Sequence, residues 1–222
     1  MKKPSDKISA SFTIFFMILL STACKDSKEN NMQSRPKGPM PAPIIIDEKK
    51  RSITFSARVN GKYLLEPSRH LSVFEEGSNG KKSIFTGLVD HTAFYNALVK
   101  SGAKPGDNMT MDNKEKTFVS GDTLEATVTW DGAKKQYRLD EVVKESNRKP
   151  ILLKFGGNLK LATEKNTGCL ICLDSCPVGI VSNASYPYGA VEKRNEVTFI
   201  GNKDLLPPDG TYVSITMKLK EK

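Results

Sequence analysis

Three cysteines fall within eight positions of one short stretch, TGCLICLDSCPVGI, residues 167–180. Their spacing is Cys169-x2-Cys172-x3-Cys176, with Pro177 directly after and Gly179 close behind, two residues suited to shaping a loop. Several chemistries use such a set. Thiolates bind soft and borderline metals, and C-x2-C is a common half of a zinc site, which needs four ligands. The same pair is the spacing of thiol–disulfide catalysts, whose reactivity depends on a stabilised thiolate. The run from Cys169 to Pro177 also equals the end of the bacterial ferredoxin pattern C-x2-C-x2-C-x3-C-P. That pattern would place a further cysteine at position 166, where this chain has Asn166. An iron–sulfur cluster here would need all three thiolates on one cluster, with a fourth ligand from Asp174, His70, His91, water or another chain.

His70 and His91 are the only histidines. Taken singly, each reads as an ordinary histidine: His91 stands beside a helix cap, and His70 in a passage from loop to strand. The competing structural reading is a disulfide between two of the three cysteines, with one free thiol. An odd, tight cluster favours a ligand or redox role over that staple. No HExxH, GxSxG, Walker A or dinucleotide glycine fingerprint occurs, and no pair of carboxylates stands out as acid and base. Tyr186-Pro187-Tyr188-Gly189 reads best as a packed turn, with a cover over the cysteine site as the alternative.

Compartment bears on these readings. The chain opens with Lys2, Lys3 and Lys7, followed by the apolar run FTIFFMILL over residues 12–20. That run is too short to span a bilayer and suits the core of a signal peptide. It leads to Ser21-Thr22-Ala23-Cys24, which resembles a lipobox, so residues 1–23 are expected to be removed and Cys24 to be lipidated. Ordinary cleavage after Ala23, giving a secreted protein, is the alternative. Residues 25–43 are polar and carry four prolines, as expected of a disordered tether. There is no twin-arginine signal, which weighs against export of a preloaded cluster. The net charge is +9. The basic residues are dispersed, so they point to an anionic envelope surface rather than to nucleic acid.

The elements that must position the cysteines are mostly strands. Ile53, Phe55, Ala57 and Val59 alternate with polar neighbours, as do Leu124, Ala126, Val128 and Trp130, and again Val213, Ile215, Met217 and Leu219. Shorter strands are expected at 71–74, 137–143, 151–155, 180–183 and 197–200. Asn60-Gly61, Asn79-Gly80 and Asp131-Gly132 are suited to hairpin turns. One helix is expected near 91–101, capped by Asp90, with Phe94, Ala97, Leu98 and Ser101 on one face and Gly102 at its end. The connections are mostly short, so the fold expected is a β-rich α+β domain over residues 44–222, with a mostly antiparallel sheet.

The segments ALVKSGAKPGD, GDTLEATVTW, TGCLICLDSCPVGIVSNASYPYGAVE and LPPDGTYVSITMKL resemble the YdjY-like family over roughly residues 50–220. The resemblance implies an exported or membrane-anchored protein of a kind sometimes labelled as ferredoxin-type. The function expected is an extracytoplasmic lipoprotein of the cell envelope. It would carry a three-cysteine metal-binding or redox centre, holding zinc or an iron–sulfur cluster, and would serve a redox partner protein. The rival is a non-catalytic structural or interaction lipoprotein whose cysteines form a loop-stabilising disulfide.

Overall fold

The computed structural model describes residues 44–221; the apolar segment at 12–20, Cys24 and the tether at 25–43 lie outside the described residues. The three alternating segments form the longest strands: β2 (Ser52–Val59), β5 (Thr123–Thr129) and β12 (Tyr212–Leu219). Around them come β1 (Ile44–Asp47), β3 (His70–Phe74), β4 (Phe85–Gly87), β6 (Tyr137–Arg138), β7 (Val143–Glu145), β8 (Leu153–Phe155), β9 (Cys169–Cys172), β10 (Val181–Asn183) and β11 (Phe199–Gly201). The helices are α1 (His91–Lys100), α2 (Leu139–Val142) and α3 (Leu159–Lys165).

The pairing order β2-β12-β5-β8-β10-β9-β3-β4 returns from β4 to β2, so eight strands close into a barrel. This overturns the expected α+β class: the sheet closes on itself, and most of its strand pairs are antiparallel. The protein is largely β, and its short helices build no separate layer. Closure rests on β4, whose three residues pair with β2 on one side and β3 on the other. Two neighbouring pairs, β3–β4 and β9–β10, are parallel. Their connections, residues 75–84 and 173–180, are irregular loops rather than crossover helices. Short links suggest mostly antiparallel pairing, yet a short loop folded back over the barrel wall can also return the chain in the same direction. Hence Asn79-Gly80 is not a hairpin turn, and Asn60-Gly61 enters a 3-10 turn at Gly61–Leu64. Asp131-Gly132 does join the antiparallel pair β5–β6.

The inner face holds Ile53, Phe55, Ala57, Val59, Leu124, Ala126, Val128, Val213, Ile215, Met217 and Leu219, all buried in one core. Trp130, the last apolar residue of that alternation, lies beyond the end of β5; it is half-buried, packed against the core and stacked on Tyr137 with ring centroids 5.0 Å apart. The expected strand over 137–143 is broken into β6, α2 and β7. The Glu141 carboxylate accepts from the Arg138 backbone N–H at 2.8 Å and turns the chain there.

Helix α1 follows its sequence signals. Asp90 accepts from the backbone N–H groups of Thr92 and Ala93 at 2.8 and 2.9 Å, and Gly102 ends the helix at φ +89°. Phe94, Ala97 and Leu98 are buried. Phe94 meets Phe55 of β2 edge-on, and Tyr95 tilts onto Phe155 of β8, three places away round the ring. The helix therefore lies across the barrel rather than along one strand pair. No helix among the described residues is long and apolar enough to cross a membrane.

Candidate metal centre

Strand β9 carries Cys169 and Cys172 three positions apart, and in a regular strand such residues face opposite sides. The register with β3 shows why they do not. His70 pairs with Cys172, Ser72 with Ile171, and Val73 with Cys169. Between the last two pairs β9 has one residue more than β3, Leu170, and an extra residue reverses the facing of everything beyond it. Leu170 and Ile171 join the barrel core, while Cys169 and Cys172 turn the other way. There they form a second small cluster with Cys176 and Val73, packed by Val178 and Tyr188. All four residues of β9 are buried, because the loops that make the two parallel returns cover its outer side.

His70, the first residue of β3, completes the arrangement. Its Nδ1 lies 3.7 Å from the Sγ of Cys169 and 3.7 Å from that of Cys172. These three ligand atoms all lie within 4.8 Å of one another. Cys176 follows on the 173–180 loop, 1% exposed, in a turn where its carbonyl accepts from the Gly179 N–H at 3.3 Å. Pro177 occupies the second position of that turn, where its fixed φ is suitable. Gly179 is needed for a different reason: a Cβ there would stand 2.9 Å from the Cys172 sulfur and 2.8 Å from Ser182 Oγ. Asn79, from the 75–84 loop, points its amide at Cys169 Sγ from 3.9 Å.

The three cysteines are free thiols. A hydrogen bond from Cys172 holds the Cys169 thiol well below its ordinary range; His70 helps, and burial opposes. Cys172 is pushed well up, because its proton is shared with Cys169 and Cys176 and because burial disfavours a second charge. Thiolates buried this close disfavour one another. More negative charge in so dry a place needs a cation.

The other candidate ligands lie elsewhere. His91 Nε2 is 3.3 Å from Thr163 Oγ1, away from the sulfurs. Asp174 is occupied by Arg69 Nη2 at 2.6 Å and by the Gly189 N–H at 2.9 Å. Asn166, at the ferredoxin position, is the left-handed cap at the end of α3. Sequence reasoning missed the part of Arg69, whose only signal was its place beside His70. Tyr188 does cover the cysteines, as its turn allowed, whereas Tyr186 stands edge-on to Phe199 in the barrel core.

A fit test follows from the donor set. In tetrahedral zinc sites, metal–ligand bonds of about 2.3 Å to sulfur and 2.0–2.1 Å to nitrogen imply nitrogen–sulfur edges of about 3.6 Å and sulfur–sulfur edges of about 3.8 Å. The two nitrogen–sulfur separations of 3.7 Å lie within about 0.2 Å of that nitrogen–sulfur edge. Three thiols and one imidazole are also an accepted structural zinc set. The His70, Cys169 and Cys172 group could therefore bind a metal ion such as zinc.

The YdjY domain family model matches residues 44–218. Over 179 residues the chain is 53% identical to the protein called "Uncharacterized protein YdjY" of Escherichia coli (strain K12), an alignment covering 81% of this chain and 80% of that relative. No solved structure matches the chain. The matched stretch includes His70 and all three clustered cysteines, and the chain belongs to the YdjY family.

Proposed function

We propose that this protein is a lipoprotein of the bacterial cell envelope that holds one zinc-class metal ion through His70, Cys169, Cys172 and Cys176. The observation that carries this reading is the pair of equal 3.7 Å separations between one imidazole nitrogen and two free thiols. An iron–sulfur cluster fits the spacing less well. In a four-iron, four-sulfur cluster each cysteine binds a different iron and points outward, so the sulfurs stand farther apart than around one ion. The donors are all protein groups and all buried, which suits retaining an ion more than hydrolysis, where a ligand position stays open. When bound, the ion would supply the positive charge that lets the neighbouring thiols ionise together. His70 and the Cys176 loop would then be drawn onto β9.

Elemental analysis of anaerobically purified full-length protein is the test. About one equivalent of zinc or a similar ion per chain is expected, with the three thiols unreactive until a chelator is added. Three freely titratable thiols without metal would overturn the reading. One thiol plus one disulfide would favour the structural rival, and visible absorbance with inorganic sulfide would favour the cluster.

The envelope part of the proposal rests on the basic start, the short apolar run and the lipobox-like Ser21-Thr22-Ala23-Cys24. Mass spectrometry of the mature protein is expected to find Cys24 as a lipid-modified first residue. An unmodified Cys24 on a soluble product would mean that the protein is secreted instead.

A further inference from the structure

Arg69 directly precedes His70, and Asp174 stands between Cys172 and Cys176. The two form an ion pair at 2.6 Å, with side chains 8% and 0% exposed. A buried pair of this kind is weak evidence of a stabilising role, since removing two charges from water offsets most of their attraction. Its place in the chain points to another role. The Leu173 N–H donates to the Arg69 carbonyl at 2.8 Å, so backbone and side chain both tie the His70 segment to the cysteine segment. The second Asp174 oxygen takes the Gly189 N–H, and the Arg69 guanidinium lies 4.8 Å from the Tyr188 ring that packs on the sulfurs. One pair thus joins the three segments that surround the cysteines.

Charge leads to the same place. Three thiolates and a neutral imidazole around a divalent ion leave one net negative charge, which a dry interior tolerates only beside a cation. The Arg69 guanidinium is such a group, buried on the Tyr188 ring that packs against the same cysteine cluster.

We infer that the Arg69–Asp174 pair is the positioning element of the metal centre: it holds the His70 strand against the cysteine loop and places a buried guanidinium beside it. This rests on the metal reading above. Partners lying just behind metal ligands typically change affinity by about 10–100-fold when removed.

The test compares the reduced full-length chain with Asp174→Asn and with the double change Arg69→Met/Asp174→Leu. Zinc affinity is read by competition with a chromophoric chelator, and site geometry from cobalt(II) absorption bands. Both variants are expected to bind zinc about 10–100-fold more weakly and to shift the cobalt bands. The metal-free unfolding midpoint of the double variant is expected to stay near that of the parent, because apolar replacement of a whole buried pair is often neutral. Should Asp174→Asn not fold, the double variant decides. Parental zinc affinity with unshifted cobalt bands would overturn the inference. A parent chain that binds neither zinc nor cobalt would instead sink the metal reading itself.

Discussion

Cys172→Ser is expected to strip the bound ion from the full-length protein and to leave a chain whose stability no longer responds to a chelator. Cys172 faces His70 Nδ1 at 3.7 Å, packs in one cluster with Cys169 and Cys176, and is fully buried. Serine offers a hard, weakly acidic oxygen where a thiolate is required, so a soft or borderline ion loses more than one quarter of its ligation. Structural zinc sites contribute roughly 10–16 kcal/mol of apparent binding energy in small peptides, which are unfolded without metal. This barrel has a core of its own, so a smaller share should appear as stability. An ion present at about a thousand times its dissociation constant stabilises the native state by about 4 kcal/mol. Urea unfolding with and without chelator measures that share. The parent is expected to lose several kcal/mol on metal removal and Cys172→Ser nothing further. Undiminished metal content in the variant, with the parent's chelator response, would remove Cys172 from the site.

Phe55→Ala is expected to cost about 3–5 kcal/mol, the range for a large aromatic truncated in a core. Phe55 is fully buried on the inner face of β2, its ring edge-on to Phe94 at 5.1 Å and 76°. The substitution removes the contact that seats α1 across the barrel, and β2 is too tightly paired to both β4 and β12 to collapse into the gap. Metal content in the folded fraction should be unchanged, because the sulfurs sit in a separate cluster on the other side of β9. Chemical denaturation gives the loss. A change below about 1 kcal/mol would mean that α1 is held chiefly by other contacts, and a parallel loss of metal would mean that core and site are coupled.

What could be read along the chain was whatever repeats within a few residues. Alternation of apolar and polar side chains located β2, β5 and β12 and named their inner faces, since a half-buried strand shows its burial pattern directly. Asp90, the apolar face of α1 and Gly102 marked one helix for an equally local reason: a cap and a left-handed terminus need only near neighbours. The cysteine spacing narrowed the chemistry to thiolate ligation or thiol redox, and the basic, apolar and lipobox-like start led to the expectation of export.

Closure of the barrel was not legible. It depends on β4, a three-residue strand too short to show a period, which pairs with β2 on one side and β3 on the other. The parallel pairs were hidden because a short loop says how far the chain can travel and not which way it returns. The facing of Cys169 and Cys172 turned on one unpaired residue, Leu170, visible only against the partner strand. Among the candidate fourth ligands His70 was singled out because β3 lies beside β9, ninety-nine positions away from Cys169, while His91 and Asp174 are engaged by Thr163 and Arg69. Residue types and local spacing set which chemistry was available. Which side chains share it was decided by pairing between distant segments, where the loss of chain entropy is repaid only by contacts that no short stretch contains.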